Sequence, residues 1–191
     1  MRYHPDHKGE SRQKIVHAAA KHFRRDGINS VGVVPLMKEA GLTHGAFYTH
    51  FESKDALVEA VLEEGVKENY DYLAQAAQRG GLTALVHTYL SPEHRDSPEM
   101  GCPAASLGAE LARHPDASRR AFTRALNRTL KLIEGVLPHP DRNIAQAIFS
   151  TMVGSLIFAR SVSDRKLSDS FLASGRATAL SLAGQSTQDK K

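Results

Sequence analysis

The sequence predicts an all-α protein of about nine helices, and three observations carry that expectation. Apolar residues recur three and four apart along most of the chain. Glycine and proline fall between these periodic stretches, and no stretch shows the alternation of a half-buried strand. In order, residues 9–26 put Ile15, Ala19 and Phe23 on one face and stop at Gly27, a helix-end signal. Residues 33–40 carry Pro35 in a first turn, where its missing N–H costs nothing, and end at Gly41. Thr43 is placed to N-cap a short helix reaching His50, and Ser53 to N-cap a long one running from 54 to about 78. The Arg79-Gly80-Gly81 run breaks that helix, residues 82–90 form the next, and 93–101 reads as a loop. Pro103 opens a helix ending near Arg113. Another begins at Asp116 or Ser118 and carries Phe122, Leu126, Leu130, Ile133 and Leu137. Residues 141–160 and 168–183 complete the set, and 186–191 reads as a disordered tail.

Length and composition bound the function. A chain of 191 residues is long enough for one domain, or a small and a larger one, with a real core. It has no run of eighteen apolar residues, its N-terminus lacks the apolar centre of a signal peptide, and its single cysteine, Cys102, allows no internal disulfide. These features point to the cytoplasm and away from a membrane. Charge is unevenly placed. Residues 1–54 hold nine Lys/Arg against five Asp/Glu, whereas 55–191 hold sixteen of each, and six of the ten histidines lie in the first fifty residues. Excess positive charge at one end fits a small nucleic-acid-binding head on a neutral body.

The stretch Gly41-Leu-Thr-His-Gly-Ala-Phe-Tyr-Thr-His-Phe51 is where that head acquires chemistry. Gly41 permits a tight left-handed turn between two short helices, which makes a helix-turn-helix at about 33–52. Phe47 and Phe51, four apart, supply a buried face, while Thr43, His44, Gly45, Tyr48 and Thr49 occupy the opposite side. Gly45 costs a helix about 1 kcal/mol relative to Ala, a sacrifice that makes sense if the backbone must approach another surface closely. A helix N-terminus there also favours phosphate.

The run MKEAGLTHGAFYTHFESKDALVEAVL, residues 37–62, closely resembles the DNA-binding domain of the TetR/AcrR family of bacterial transcriptional regulators. The resemblance is close over about residues 10–62 and elsewhere extends only to the layout of helices. It implies a DNA-binding domain at 9–55 and an effector-binding and dimerisation domain at 56–185. It also implies that Thr43 and His44 meet phosphate or base edges, that Gly45 gives close approach, and that Tyr48, His50 and Lys54 hold phosphates. Pro35 and His44 depart from residues common in the family at those positions.

Other chemistries find less support. His44 and His50 are six apart and fall on different helical faces, and His17 and His22 are five apart, so neither pair has metal-ligand spacing. No metal or cofactor is expected. The chain has no nucleophile elbow, phosphate loop or paired-carboxylate motif, so no catalytic residue is expected either. Cys102, before Pro103 at a helix N-terminus where a thiolate is favoured, leaves a redox or electrophile sensor as an alternative. A non-specific nucleic-acid-binding dimer is another.

The last two helices supply an expected interface. Residues 141–160 are apolar on more than one face, and Phe149, Val153 and Ile157, with Phe171 and Leu180 on the final helix, form a stripe suited to a four-helix contact between two copies. Gly154 and Ser155 would permit close approach. Tyr70, Leu73, His87, Leu107, Leu111, Leu126, Leu130 and Met152 are the candidates to line an effector pocket for an apolar or aromatic molecule. The expected function is a homodimeric repressor that a small molecule releases from a palindromic operator on double-stranded DNA.

Overall fold

Two apolar cores organise the computed structural model, which describes residues 5–65 and 67–185. The expected tail at 186–191 lies outside the described residues. Among those described there are nine α-helices: α1 (Pro5–Asp26), α2 (Val33–Glu39), α3 (Lys54–Ala60), α4 (Lys67–Tyr89), α5 (Pro92–Asp96), α6 (Pro103–Leu111), α7 (Asp116–Gly135), α8 (Arg142–Ser161) and α9 (Arg165–Gln185). A 3-10 helix (His44–Thr49) follows α2, a π turn (Val61–Gly65) follows α3, and a 3-10 turn (Pro98–Met100) precedes α6. The all-α expectation holds.

The first core gathers Ile15, Ala19 and Phe23 of α1 with Leu36, Met37, Phe47, Phe51, Leu57 and Val58. It also takes Leu107 and Leu111 of α6 and Ala121 of α7, so the N-terminal helices share their interior with the rest of the chain. The second core holds Leu85, Tyr89, Leu130, Ile133, Ile148, Met152 and Leu156, between α4, α7, α8 and α9. Helix α8 is long and apolar enough by composition to cross a membrane. Its packing against α7 and α9 accounts for one apolar face, and a second face lies open.

Polar contacts clamp the N-terminal helices to the body at three places. The Glu110 carboxylate accepts from the Ile28 N–H at 2.8 Å and the Asn29 N–H at 2.7 Å. These donors follow Gly27, whose φ of +84° turns the chain sharply after α1. Arg24 Nε donates to the carbonyl of Glu99 at 2.6 Å, and Arg12 pairs with Glu64 at 2.5 Å.

Three expectations need correction. The long helix expected over 54–78 is interrupted at the π turn. There the Glu63 carbonyl accepts from Arg128 at 3.2 Å while the Glu63 and Glu64 carboxylates pair in different directions, with Arg124 and Arg12. A side chain that captures a helix carbonyl disturbs the regular ladder. The break at Gly80 and Gly81 does occur, with Gly81 in the left-handed region at φ +59°. Residues 93–101 are not a loop, since Ser91 caps α5 by accepting from the His94 N–H at 3.1 Å and Pro92 suits its first turn. Finally, Ser155 on α8 meets Gly175 on α9, where a Cβ would collide with its side chain, so this close approach lies within one chain.

A buried polar node fixes the start of α6. His94 Nδ1 donates to the Tyr89 carbonyl at 2.6 Å, and His94 Nε2 accepts from the Cys102 N–H at 3.0 Å, so the ring is held neutral. Arg160 covers the carbonyls of Arg95 and His94 at 3.1 and 2.6 Å. Gly101 passes over both side chains, and a Cβ there would stand 2.7 Å from His94 Nε2. Burial, with Arg160 nearby, pushes the His94 pKa down to about 4. Above about pH 6.5 the ring is neutral folded or unfolded. Between about 6.5 and 4 only the unfolded chain takes the proton, so stability falls as the pH falls. Denaturation as a function of pH should show a loss of roughly 3 kcal/mol across that window, at about 1.4 kcal/mol per unit. His94→Gln should lack that slope. An identical slope in the variant would place the titrating group elsewhere.

Candidate nucleic-acid interface

The turn between α2 and the 3-10 helix is built by backbone hydrogen bonds that the sequence makes possible. The Leu42 N–H donates to the Met37 carbonyl at 2.8 Å and the Gly41 N–H to the Lys38 carbonyl at 3.1 Å. This pair of bonds closes a helix C-terminus with a left-handed residue, and Gly41 supplies it at φ +71°. Leu42 then folds back onto the first core. Alanine at 41 would carry the left-handed strain of about 1–2 kcal/mol.

The 3-10 helix presents two faces, as expected. Phe47 and Phe51 are buried with ring centroids 5.7 Å apart, while Tyr48 is 63% exposed. Tyr48 stands edge-on between the rings of His44 and Phe47, at 5.8 and 5.3 Å. Thr43, His44 and Gly45 are exposed, and nothing lies within 4 Å of where a Gly45 Cβ would be. The open space there is room for a surface outside the protein.

Thr43 differs from expectation. It is extended and makes no side-chain cap; the Ala46 N–H instead donates to its carbonyl at 3.0 Å, leaving the hydroxyl outside the helix. The i to i+3 winding commits to the Thr43 carbonyl the same Ala46 N–H that a side-chain cap would take. Thr49 turns its hydroxyl back to the Ala46 carbonyl at 2.7 Å while remaining exposed. Ser53 does cap α3, accepting from the Ala56 N–H at 3.1 Å, and thereby sets the half-buried Lys54 in the first turn.

His50 is half-buried, and its Nδ1 is buried without a partner among the described residues. Burial first, then the charges of Lys8 and Arg12, push its pKa below the ordinary histidine value. The ring is therefore a neutral polar group at physiological pH. Sequence reasoning missed Lys8 and Arg12, whose place beside His50 depends on the packing of α1 against the turn. Arg12 also lies 5.2 Å from the centre of the Phe51 ring. The ring of His22, which lacks metal-ligand spacing with His17, bridges Asp26 and Glu39 and so fastens α1 to α2.

The expected pocket residues separate in space. Tyr70 and Leu126 line a cavity of about 200 Å³ with Phe122, Phe149 and Cys102, while Leu73 lines a different groove. His87 is exposed, Leu107 and Leu111 belong to the first core, and Leu130 and Met152 to the second, so these five line neither space. The helical spacing of Leu107, Leu111, Leu130 and Met152 marks burial, and core and cavity use the same apolar faces. Phe149, expected at an interface between copies, points inward and meets Tyr89 at 6.1 Å. Val153, Phe171 and Leu180 are half-buried, Ile157 and Phe158 are exposed, and Phe158 stacks on Phe171 at 5.3 Å. Cys102 makes no side-chain cap and is buried. Burial pushes its thiol up, outweighing the neighbouring Tyr89 hydroxyl and the N–H groups of Ala104 and Ala105.

Residues 15–61 match the family model described as bacterial regulatory proteins, tetR family. The regulator TtgR of Pseudomonas putida is 36% identical over 69 residues, which are 36% of this chain and 32% of that protein. This chain thus spans about a third of the length of the relatives it matches there. A TetR-family regulator from Cytophaga hutchinsonii superimposes over 92% of this chain and 96% of its own, at a TM-score of 0.76 and 20% identity. A regulatory protein TetR from Rhodobacter sphaeroides does so over 88% and 96%, at 0.70 and 25%.

The two faces of the 3-10 helix should separate in mutants. Phe47→Ala should destabilise the fold by about 3–5 kcal/mol. Tyr48→Ala should leave stability within about 0.5 kcal/mol while weakening binding to duplex DNA. Denaturant melts and DNA titrations check this. Equal loss of stability in both would make Tyr48 a packing residue.

Proposed function

We propose that this chain, a member of the tetR family of bacterial regulatory proteins, is a homodimeric repressor that leaves a palindromic operator when a small molecule binds its body. The observation that carries the reading is the outward face of the 3-10 helix, where Thr43, His44, Gly45 and Tyr48 stand exposed over the buried Phe47 and Phe51. In this reading His44 and Thr43 meet base edges or phosphates. Gly45 lets the backbone close on the groove, while Tyr48, Thr49, His50 and Lys54 hold the flanking phosphates. Residues 9–55 form the DNA-binding domain and 56–185 the effector-binding and dimerisation domain, working in the cytoplasm.

Two heads are needed because one short helix offers few base contacts. The open face of α8 and α9, with Ile157, Phe158 and the Phe158–Phe171 stack, supports pairing there in place of the inward Phe149. The cavity beside Tyr70, Phe122 and Leu126 takes the effector, and Glu63 and Arg128 in its wall connect it to the π turn. Ligand and operator then oppose each other by the same coupling free energy. The raised thiol of the buried Cys102 argues against a resting thiolate sensor.

Selection of binding sites from random duplex DNA tests the class, with an enriched palindrome expected and no enriched site sinking it. Lys54→Ala should lower the slope of log affinity against log salt by about one. An unchanged slope means that Lys54 meets no phosphate. Ile157→Asp and Phe158→Asp should leave folded monomers in sedimentation, because an unpaired charge in an apolar contact costs several kcal/mol. Two intact dimers would place the contact elsewhere.

A further inference from the structure

Seven large apolar side chains lie exposed among the described residues: Val34, Tyr48, Tyr72, Met100, Ile157, Phe158 and Leu167. Val34 and Tyr48 belong to the helix-turn-helix, and Ile157, Phe158 and Leu167 to the α8 and α9 region. Tyr72 and Met100 belong to neither. They come from α4 and from the 3-10 turn before α6, yet both line one groove of about 610 Å³. That volume is within the range of small-molecule sites, roughly 300–1,000 Å³.

The groove has a definite electrostatic character. Glu68 and Glu93 stand in its wall, and no lysine or arginine does. Glu93 is held ionised, because its own backbone N–H and Ser91 pull its carboxyl below the usual range. His94 presents a neutral ring. Glu68 meets His17 at 3.6 Å, and Arg24, whose Nε donates to the Glu99 carbonyl, lies nearby without lining the groove. A tyrosine face, a methionine and two carboxylates are the complement of an organic cation with an apolar body. Because His17 belongs to α1, the groove also touches the head.

We propose that this groove is a second ligand site, separate from the cavity beside Phe122, and that it takes organic monocations bearing aromatic or aliphatic groups. The charge is recognised by Glu68 and Glu93 and the apolar body by Tyr72, Met100 and Leu73.

The test is calorimetric titration of the full chain with tetraphenylphosphonium and with tetraphenylborate, an anion of the same shape. The phosphonium should bind and the borate should bind at least about tenfold more weakly, a difference of about 1.4 kcal/mol. Glu93→Gln and Tyr72→Ala, both at exposed positions, should each weaken phosphonium binding about three- to tenfold. Leu126→Trp, in the other cavity, should leave it unchanged. Equal binding of both ions overturns the proposal. So does wild-type phosphonium affinity in the Glu93 and Tyr72 variants, loss of binding in Leu126→Trp, or no phosphonium binding at millimolar concentration. Operator binding by the ligand-free protein is measured in parallel, so failure of the regulator reading registers there and failure of the groove in the titrations.

Discussion

The clamp between Glu110 and the N–H groups of Ile28 and Asn29 is the contact on which the arrangement of this chain depends. Those donors follow the left-handed Gly27, where the chain leaves α1 and the backbone would otherwise need water. One carboxylate satisfies both and belongs to α6, which also sends Leu107 and Leu111 into the first core. With Arg24 on Glu99 and Arg12 on Glu64, helix α1 is fixed along its length. The N-terminal helices are thereby joined to α6 and to the π turn by polar contacts as well as by the shared core.

That arrangement bears on how a signal could travel. The π turn contacts α7 through Glu63 and α1 through Glu64, and Glu63 also lines the cavity. Adjacent carboxylates thus face the cavity and helix α1. Coupling through discrete ion pairs permits two alternative arrangements, which packed interiors favour over continuous bending. The neutral His94 with Arg160 above it does the reverse, holding α5, α6 and α8 in a single arrangement.

Much of the fold was legible because it is written locally. Helical periodicity gave the elements, Gly41 gave the turn through its positive φ, and the four-residue spacing of Phe47 and Phe51 gave the buried face below Tyr48. The failures share one cause. The capture of the Glu63 carbonyl by Arg128, the inward turn of Phe149 and the placing of Lys8 and Arg12 beside His50 depend on residues far away in sequence. Pocket residues were hardest, since Leu130 and Met152 have the same apolar spacing as Leu126 and end in the core. Thr43 failed differently, because the i to i+3 bond of a 3-10 start occupies the Ala46 N–H that its hydroxyl would cap.

The open face that carries the stacked Phe158 and Phe171 has a thermodynamic consequence under the proposed pairing. Burial in the two cores is complete within one copy at any dilution. Burial of the open α8 and α9 face would require a second copy, so in that reading this share of the stability follows mass action. Synthesis rate and dilution by growth would then act on the folded state itself.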